Sequence, residues 1–254
     1  MARLEITTHI GCPMNCLDCP QKLLLSKYNG PRMMDFIEYT KVIDKLPTDV
    51  RIDFSGMCEP FVNPRCADMI LYAAAHGNPL ALYTTLQGAT EEDYLKLKHV
   101  QYEVVTIHLP DQDGRSTFKI TDNYLNVLNK WECNNYSCHG TLDERVRPYL
   151  KPNKGYITYM HDRAGNVESQ RHFYHSPNSR VGCINCGNAL NHNVLLPDGT
   201  VLVCCMDYGM TQVFGNLFYQ SYDEILNSQT ANQMRVDMET VDCLCKHCTN
   251  AYEY

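Results

Sequence analysis

Apolar residues along the first 161 positions follow two alternating periods, one typical of buried strands and one typical of amphipathic helices. Short apolar runs bounded by turn residues predict strands, and apolar residues spaced three and four apart predict helices. Strands are predicted at 3–8, 49–56, 79–85, 102–109, 134–140 and 155–161, and helices at 20–28, 35–46, 63–77, 90–100, 121–131 and 141–150. This alternation predicts an α/β fold with a parallel sheet and helices outside it.

Local signals mark two of the predicted helix boundaries. Thr90 is a predicted N-cap, because its hydroxyl can accept a hydrogen bond from a free backbone N–H of the first turn. Gly77 is predicted to end the helix at 63–77. About six strands fit before residue 162, fewer than the eight of a closed barrel, so we expect an open, partial (β/α)6 barrel.

The pattern changes near residue 162, where a polar and irregular stretch begins. Further on, segment 194–205 places Asp198-Gly199 between two apolar runs, which predicts a β-hairpin. A helix is predicted at 221–236. These changes predict a barrel at 1–165 and a small cysteine-rich domain at 166–254.

Ligand-binding residues are expected at one edge of the predicted sheet, since parallel sheets bind ligands beyond the carboxyl ends of their strands. Several polar residues follow predicted strands there: Gly56 to Glu59, Thr84, Thr85, His108, His139 and His161. Arg163, after the last predicted barrel strand, is a candidate for binding a carboxylate through its planar guanidinium. A surface position for Arg163 is the alternative.

Cysteines are numerous and clustered: of 14 in 254 residues, three lie between positions 12 and 19 and seven between 183 and 248. No signal peptide is recognisable, and no apolar run approaches the roughly 18 residues of a membrane span. We therefore expect a cytoplasmic protein, in which clustered cysteines bind metal more often than they form disulfides. A net charge of −7 without a Lys/Arg block argues against a nucleic-acid-binding surface.

The first cysteine group has the spacing Cys12-x3-Cys16-x2-Cys19 and follows the first predicted strand. Three thiolates on a tight loop can hold three irons of a [4Fe–4S] cubane and leave the fourth iron open to another ligand. A structural zinc site normally uses four protein ligands, so zinc here would need a distant fourth residue. Incidental thiols are the third alternative.

This spacing resembles the radical S-adenosylmethionine (SAM) superfamily, and the resemblance covers residues 1 to about 160. Residues 56–60 (GMCEP) are similar to the superfamily's Gly-Gly-Glu-Pro motif. The resemblance implies that the three cysteines hold the catalytic cluster and that SAM contacts are made by Gly56, Glu59, Thr85, His108 and Arg163. Two positions differ from the superfamily pattern: Cys58 replaces a glycine, and Asp18 replaces an aromatic residue that lies against the adenine.

The second cysteine group contains Cys183-x2-Cys186, Cys204-Cys205 and Cys243-x-Cys245-x2-Cys248. It resembles the SPASM/twitch extension of radical SAM enzymes and is similar in spacing to the aminocyclitol dehydrogenase of butirosin biosynthesis. That similarity implies one auxiliary [4Fe–4S] cluster, with four ligands: Cys186, Cys204, Cys245 and Cys248. Cys183, Cys205 and Cys243 are then left over. A structural zinc ribbon is the alternative.

The resemblance implies an enzyme that cleaves SAM reductively to a 5′-deoxyadenosyl radical, which abstracts hydrogen from a substrate carbon. Because the chain begins at the first barrel strand, without a peptide-recognition domain, we expect a small polar substrate of the carbohydrate or aminocyclitol type. The outcome would be dehydrogenation or epimerisation assisted by the auxiliary cluster. A flavodoxin or ferredoxin would supply the electron, and neither membrane nor nucleic acid is an expected partner. The alternatives are a peptide-modifying radical SAM enzyme and a non-catalytic zinc-binding interaction module.

Overall fold

The sheet dominates the architecture of the chain in a computed structural model that describes residues 1–158, 163–167, 190–240 and 242–248. Its strands are β1 (Arg3–Ile6), β2 (Arg51–Phe54), β3 (Leu80–Thr84), β4 (Val104–His108), β5 (Asn135–Ser137), β6 (Gly155–Ile157), β7 (His192–Leu195), β8 (Thr200–Leu202) and β9 (Val213–Asn216). The helices are α1 (Gln21–Lys27), α2 (Phe36–Ile43), α3 (Cys66–His76), α4 (Glu91–Leu97), α5 (Asp122–Lys130), α6 (Tyr222–Leu226) and α7 (Gln229–Thr240).

Strands β1 to β6 are parallel neighbours in chain order, so the sheet reads β6-β5-β4-β3-β2-β1 from one edge. Helices connect most of these strands, as parallel pairing requires a crossover between consecutive strands. The α/β fold predicted from the alternating pattern is therefore confirmed, with the six strands of a partial (β/α)6 barrel.

The C-terminal strands extend the same sheet on the other side of β1. Strand β7 pairs in parallel with β1, with Arg3 opposite His192 and Ile6 opposite Leu195. Strands β8 and β9 then follow in antiparallel order, and β7 and β8 form the predicted hairpin around Asp198-Gly199. One sheet thus contains strands from both sides of the domain boundary predicted at about residue 165. The division into two domains at that residue stays a prediction.

Alternate residues of the barrel strands face different environments. Leu4, Ile52, Leu82 and Ile107 are buried in the main apolar core with residues of the helices. Since successive side chains of a strand point to opposite faces, the residues between them point to the other face of the sheet. These are polar in four neighbouring strands: Glu5, Asp53, Tyr83 and Thr106. The period of two therefore gives the sheet one apolar face and one face with polar residues.

Helix boundaries follow from capping. Asp35 accepts hydrogen bonds from the backbone N–H groups of Ile37 and Glu38 at 2.8 and 3.0 Å, at the start of α2. Thr90 forms a reciprocal capping box with Asp93 at the start of α4. Gly77 ends α3 in the left-handed conformation, with φ of 97°. The predicted boundaries at Thr90 and Gly77 are confirmed.

Two predicted helices differ from the fold, and one strand was missed. The helix expected at 141–150 is reduced to a 3-10 turn at Arg147–Tyr149, because Pro148 cannot donate a backbone hydrogen bond. The helix expected at 221–236 is split near Asn227 into α6 and α7. Strand β9 was not predicted. Within the described residues, no helix has the length and apolar character needed to cross a membrane.

Candidate active site

The carboxyl ends of the barrel strands surround a cavity of about 290 Å³. Its wall contains all eight residues predicted for the first site: Cys12, Cys16, Cys19, Gly56, Glu59, Thr85, His108 and Arg163. These residues lie up to about 150 positions apart in sequence and come from the ends of different strands and the loops that follow them. The topology brings them together because the carboxyl ends of parallel strands meet at one edge of the sheet.

The loop between β1 and α1 presents three thiols to the cavity. Burial raises the pKa of Cys16 to about 12, and the neighbouring Cys19 and Cys12 add to the shift. The pKa of Cys12 is lowered instead, mainly by a hydrogen bond with the Cys58 thiol. Metal binding deprotonates thiols, so these pKa shifts of Cys12 and Cys16 apply to the side chains without metal.

The donor set fits an iron–sulfur cluster. Soft thiolates select iron–sulfur clusters, zinc or copper(I) over hard cations, and the adjoining cavity gives room for a further ligand beside the three cysteines. In the described ranges, no three His, Cys, Asp or Glu side chains converge on the position of a single metal ion. The thiols line one side of the cavity instead, from a single loop.

Glu59 is buried in the cavity wall and is held by four donors. Its carboxylate accepts hydrogen bonds from the Thr84 hydroxyl at 2.6 Å, from the Thr85 N–H and hydroxyl at 2.5 and 2.7 Å, and from the Phe61 N–H at 3.1 Å. A carboxylate has about four acceptor positions. The structure therefore uses Glu59 to fix the loop after β2 against the end of β3.

Gly56 allows the loop after β2 to pass close to β1. Its φ is 58°, and a Cβ atom there would lie 2.8 Å from the Cα and backbone N of Thr7. Both the conformation and the lack of space therefore require glycine at this position. The predicted role of Gly56 in SAM binding remains a prediction, while its role in loop geometry is visible.

Gln21, which was not predicted, links the two loops. This buried residue begins α1, and its side-chain oxygen accepts a hydrogen bond from the Cys12 N–H at 3.4 Å. Its side-chain nitrogen donates to the Met57 carbonyl oxygen. The sequence signal was weak, since a glutamine at a helix start is usually exposed.

Asp18, which stands where the superfamily usually has an aromatic residue, is buried in an ion pair with Arg115. Arg115 belongs to the loop after β4, and its carbonyl accepts from the Leu17 N–H at 2.8 Å. Thr117 of the same loop donates its N–H to the Met14 carbonyl at 2.7 Å. The loop after β4 thus supports the cysteine loop along its length.

Two histidines form the opposite wall of the cavity. The Nδ1 atom of His108 lies 3.0 Å from the Ser137 hydroxyl oxygen, and the His108 and His139 rings are 4.5 Å apart in an edge-to-face arrangement. Burial and the neighbouring His139 lower the pKa of His108 to about 3. Burial also lowers the pKa of His139. Both imidazoles are therefore neutral near pH 7 and offer uncharged donors and acceptors.

Arg163 is the one cationic side chain among the described residues that line the cavity. Its guanidinium carbon lies 5.9 Å from the centre of the Tyr208 ring, within the range of a cation–π interaction. Arg163 thus lies in the cavity wall, and its role in binding a carboxylate stays a prediction. His161, which was also considered for this edge, lies outside the described residues.

The second cysteine group is partly described. Cys204 and Cys248 pack with Met206 and Ala164 in a small cluster, and Cys245 is buried close by in sequence. A hydrogen bond with the Cys245 thiol is the largest effect on the pKa of Cys243, which is lowered to about 6. Cys183 and Cys186 lie outside the described residues. Three of the four predicted auxiliary ligands can thus be located, and two of them are in one cluster.

Known proteins resemble the chain in its C-terminal sequence and in its whole fold. A family profile described as SPASM, an iron–sulfur cluster-binding domain, matches residues 186–249. No curated protein sequence matches the chain.

Solved structures match over nearly the full length. BtrN in complex with AdoMet and 2-DOIA has a TM-score of 0.68 at 18% identity, covering 98% of this chain and 93% of that one. Streptococcus suis SuiB bound to the precursor peptide SuiA has a TM-score of 0.60 at 12% identity, covering 98% and 69%. The structure of anSMEcpe with bound AdoMet has a TM-score of 0.55 at 15% identity, covering 97% and 88%. Residues 186–249 thus match an iron–sulfur cluster-binding SPASM domain, and the whole chain shares the fold of BtrN, SuiB and anSMEcpe.

Proposed function

We propose that the chain is a radical SAM enzyme in which Cys12, Cys16 and Cys19 hold a [4Fe–4S] cluster and SAM binds in the adjoining cavity. One observation carries this proposal: the three thiols, the loop at 56–59 and Arg163 border the same cavity. The structurally similar BtrN and anSMEcpe, each with bound AdoMet, support it.

The bound and reduced cluster would supply the electron that cleaves SAM to a 5′-deoxyadenosyl radical. The chain's own residues hold the reactants in place for that chemistry. Arg163 offers a charged donor for the SAM carboxylate, as predicted. Glu59 fixes Thr85, whose backbone and side chain lie at the cavity wall.

The lining of the cavity supports a small polar substrate rich in hydroxyl groups. Beyond the cysteines, most of its polar groups are neutral: Ser55, Tyr83, Thr106, His108, Ser137 and His139. The charged side chains Asp18 and Glu59 are already bound by Arg115 and by the threonines. Neutral donors and acceptors suit hydroxyl groups, which supports a carbohydrate or an aminocyclitol whose carbon is oxidised or epimerised. BtrN, in complex with 2-DOIA, gives this class further support.

A peptide substrate is the second candidate. SuiB, whose fold covers 98% of this chain, is found bound to a precursor peptide. In either case we propose an auxiliary [4Fe–4S] cluster held by four cysteines: Cys186, Cys204, Cys245 and Cys248. In a dehydrogenation, the substrate radical would lose a proton and pass its electron to that cluster. A flavodoxin or ferredoxin in the cytoplasm would reduce the first cluster.

Anaerobic reconstitution with iron and sulfide tests the proposed class. We expect about seven to eight irons per chain, the content of two [4Fe–4S] clusters, and an electron paramagnetic resonance signal that changes when SAM is added. Stoichiometric zinc without any SAM-dependent signal would contradict the proposal.

The substrate class is tested by mass spectrometry of reactions that contain either a mixture of aminocyclitols and sugars or a peptide library. With deuterated substrates, transfer of deuterium into 5′-deoxyadenosine identifies the class. We expect transfer from the small polyols. Transfer from peptides alone would favour the second candidate.

A further inference from the structure

Tyr208 connects the C-terminal region to the first cysteine group. Its hydroxyl oxygen lies 3.5 Å from the Cys19 sulfur, although the two residues are 189 positions apart. The Tyr208 side chain is only 2% exposed. It lies in the loop after β8, directly beyond Cys204 and Cys205.

The loop that carries Tyr208 is held by its neighbour. Asp207 is fully buried, and its carboxylate accepts hydrogen bonds from the Thr211 N–H, the Thr211 hydroxyl and the Gln212 N–H, each at 2.8 Å. Such charge-assisted bonds are stronger than neutral ones. The turn is therefore rigid at the residue before Tyr208.

Packing fixes the ring itself. Tyr208 belongs to an apolar cluster that includes Leu24 of α1 together with Val194 and Leu202 of the C-terminal hairpin. The guanidinium of Arg163 lies 5.9 Å from the ring centre. Within the described residues, the Tyr208 hydroxyl has one hydrogen-bond partner, the Cys19 sulfur.

The direction of the hydrogen bond follows from the state of Cys19. A thiolate that binds iron has no proton to donate, so the Tyr208 O–H must be the donor. Hydrogen bonds to the sulfur ligands of an iron–sulfur cluster withdraw negative charge from it and are one of the protein's means of setting its reduction potential.

We propose that Tyr208 is a positioning residue of the first cluster, which donates a hydrogen bond to the Cys19 thiolate and raises the cluster's reduction potential. This inference rests on the proposed function, since it requires a cluster at the first cysteine group. It means that the loop after β8, which carries the auxiliary ligand candidate Cys204, also sets the redox property of the radical-generating site.

The test compares Tyr208→Phe with a matched control, Tyr222→Phe. Tyr222 is also 2% exposed and lies in the same C-terminal region, but its hydroxyl donates to Asn193 Oδ1 at 2.8 Å, away from the cysteines. Both variants lose one buried hydroxyl. Redox titrations would follow the electron paramagnetic resonance signal that responds to SAM, which identifies the first cluster.

We expect the midpoint potential of Tyr208→Phe to shift to a more negative value, while that of Tyr222→Phe equals the wild-type value. Equal potentials in all three proteins would overturn the role of Tyr208 and leave the proposed function intact. If the wild-type protein has no SAM-sensitive iron–sulfur signal, the proposed function itself fails.

A second measurement leaves Tyr208 in place. Tyr83→Phe protein made with ring-deuterated tyrosine, in which the other described tyrosine of the cavity wall carries no label, should show a deuteron coupling to the SAM-sensitive cluster in pulsed electron paramagnetic resonance spectra, because Tyr208 contacts a cluster ligand. Absence of that coupling would overturn the inference even if the Tyr208→Phe variant does not fold.

Discussion

One guanidinium nitrogen of Arg115 lies 2.8 and 2.9 Å from the two carboxylate oxygens of Asp18. Asp18 directly precedes the third cysteine of the first group, at the position where an aromatic residue is usual in the superfamily. The ion pair spans 97 positions of sequence and ties the cysteine loop to the loop after β4. The ion pair therefore gives Asp18 a structural role.

Replacing Arg115 with alanine should destabilise the cysteine loop. Asp18 would remain buried without its charged partner, and the loss of hydrogen bonds to a charged group costs about 2 kcal/mol. The double variant Asp18→Asn/Arg115→Ala should recover part of that loss, because no unpaired charge is then buried. Chemical denaturation of the single and double variants measures both effects.

The control is Arg147→Ala. Arg147 forms an ion pair with Glu144 in which both side chains are more than 60% exposed, and such exposed pairs contribute little. If Arg115→Ala is no less stable than this control, the structural role of the Asp18 pair is wrong.

His108 should make the folded state sensitive to acid. Its pKa is lowered from 6.5 to about 3 in the folded chain by burial and by His139, so the unfolded chain binds the extra proton first. The stability that comes from neutral His108 is complete above pH 6.5 and is lost as the pH falls towards 3. The slope for one such group is at most about 1.4 kcal/mol per pH unit.

Unfolding free energies of the wild type and of His108→Asn, measured below pH 6.5, check this effect. The variant should lose less stability with acidification than the wild type. The exposed histidine His99 supplies the control His99→Asn. Parallel curves for wild type and His108→Asn would contradict the assignment.

Glu59→Gln should loosen the loop after β2. The amide nitrogen of glutamine is itself a donor and would face one of the donors that now bond to the carboxylate. That donor would be left without an acceptor, and an unsatisfied buried group costs about 1–3 kcal/mol. We expect lower stability and weaker SAM binding, measured by denaturation and by equilibrium dialysis. Thr84→Val, which removes only one of the four donors, should have a smaller effect. An equal or larger effect of Thr84→Val would contradict the central position of Glu59.

Cys245→Ala and Cys248→Ala should remove the auxiliary cluster alone. The reconstituted variants should lose about four of roughly eight irons and keep SAM cleavage in the absence of substrate, while turnover stops. Cys243→Ala is the matched control, since Cys243 was left over from the predicted ligand set. Full iron content in Cys248→Ala, or loss of iron in Cys243→Ala, would show that the ligand set is different.

Local rules predicted the barrel well. Thr90 and Gly77 mark helix ends because capping depends on residues within one turn, and the strand alternation depends on side chains that are neighbours in the chain. Pro148 is a local signal of the same kind, since its missing N–H limits the helix expected at 141–150 to a turn.

Contacts between distant residues could not be predicted in the same way. The spacing of Cys12, Cys16 and Cys19 indicates a cluster, but nothing in it shows that Tyr208 contacts Cys19 or that Arg115 pairs with Asp18. Those relationships depend on β7 pairing beside β1 and on the path of the loop after β4. They are properties of the assembled sheet and not of any short segment.

The central proposal, that a cluster held by the three cysteines of the first loop cleaves SAM, can be tested directly. The reduced, anaerobically reconstituted wild type and Cys66→Ala, which lacks a buried thiol of α3, should both release 5′-deoxyadenosine from SAM. Cys12→Ala, Cys16→Ala and Cys19→Ala should each release none. Release at the wild-type rate by any of these three variants, or no release by the wild type, would contradict a radical-generating cluster at this site.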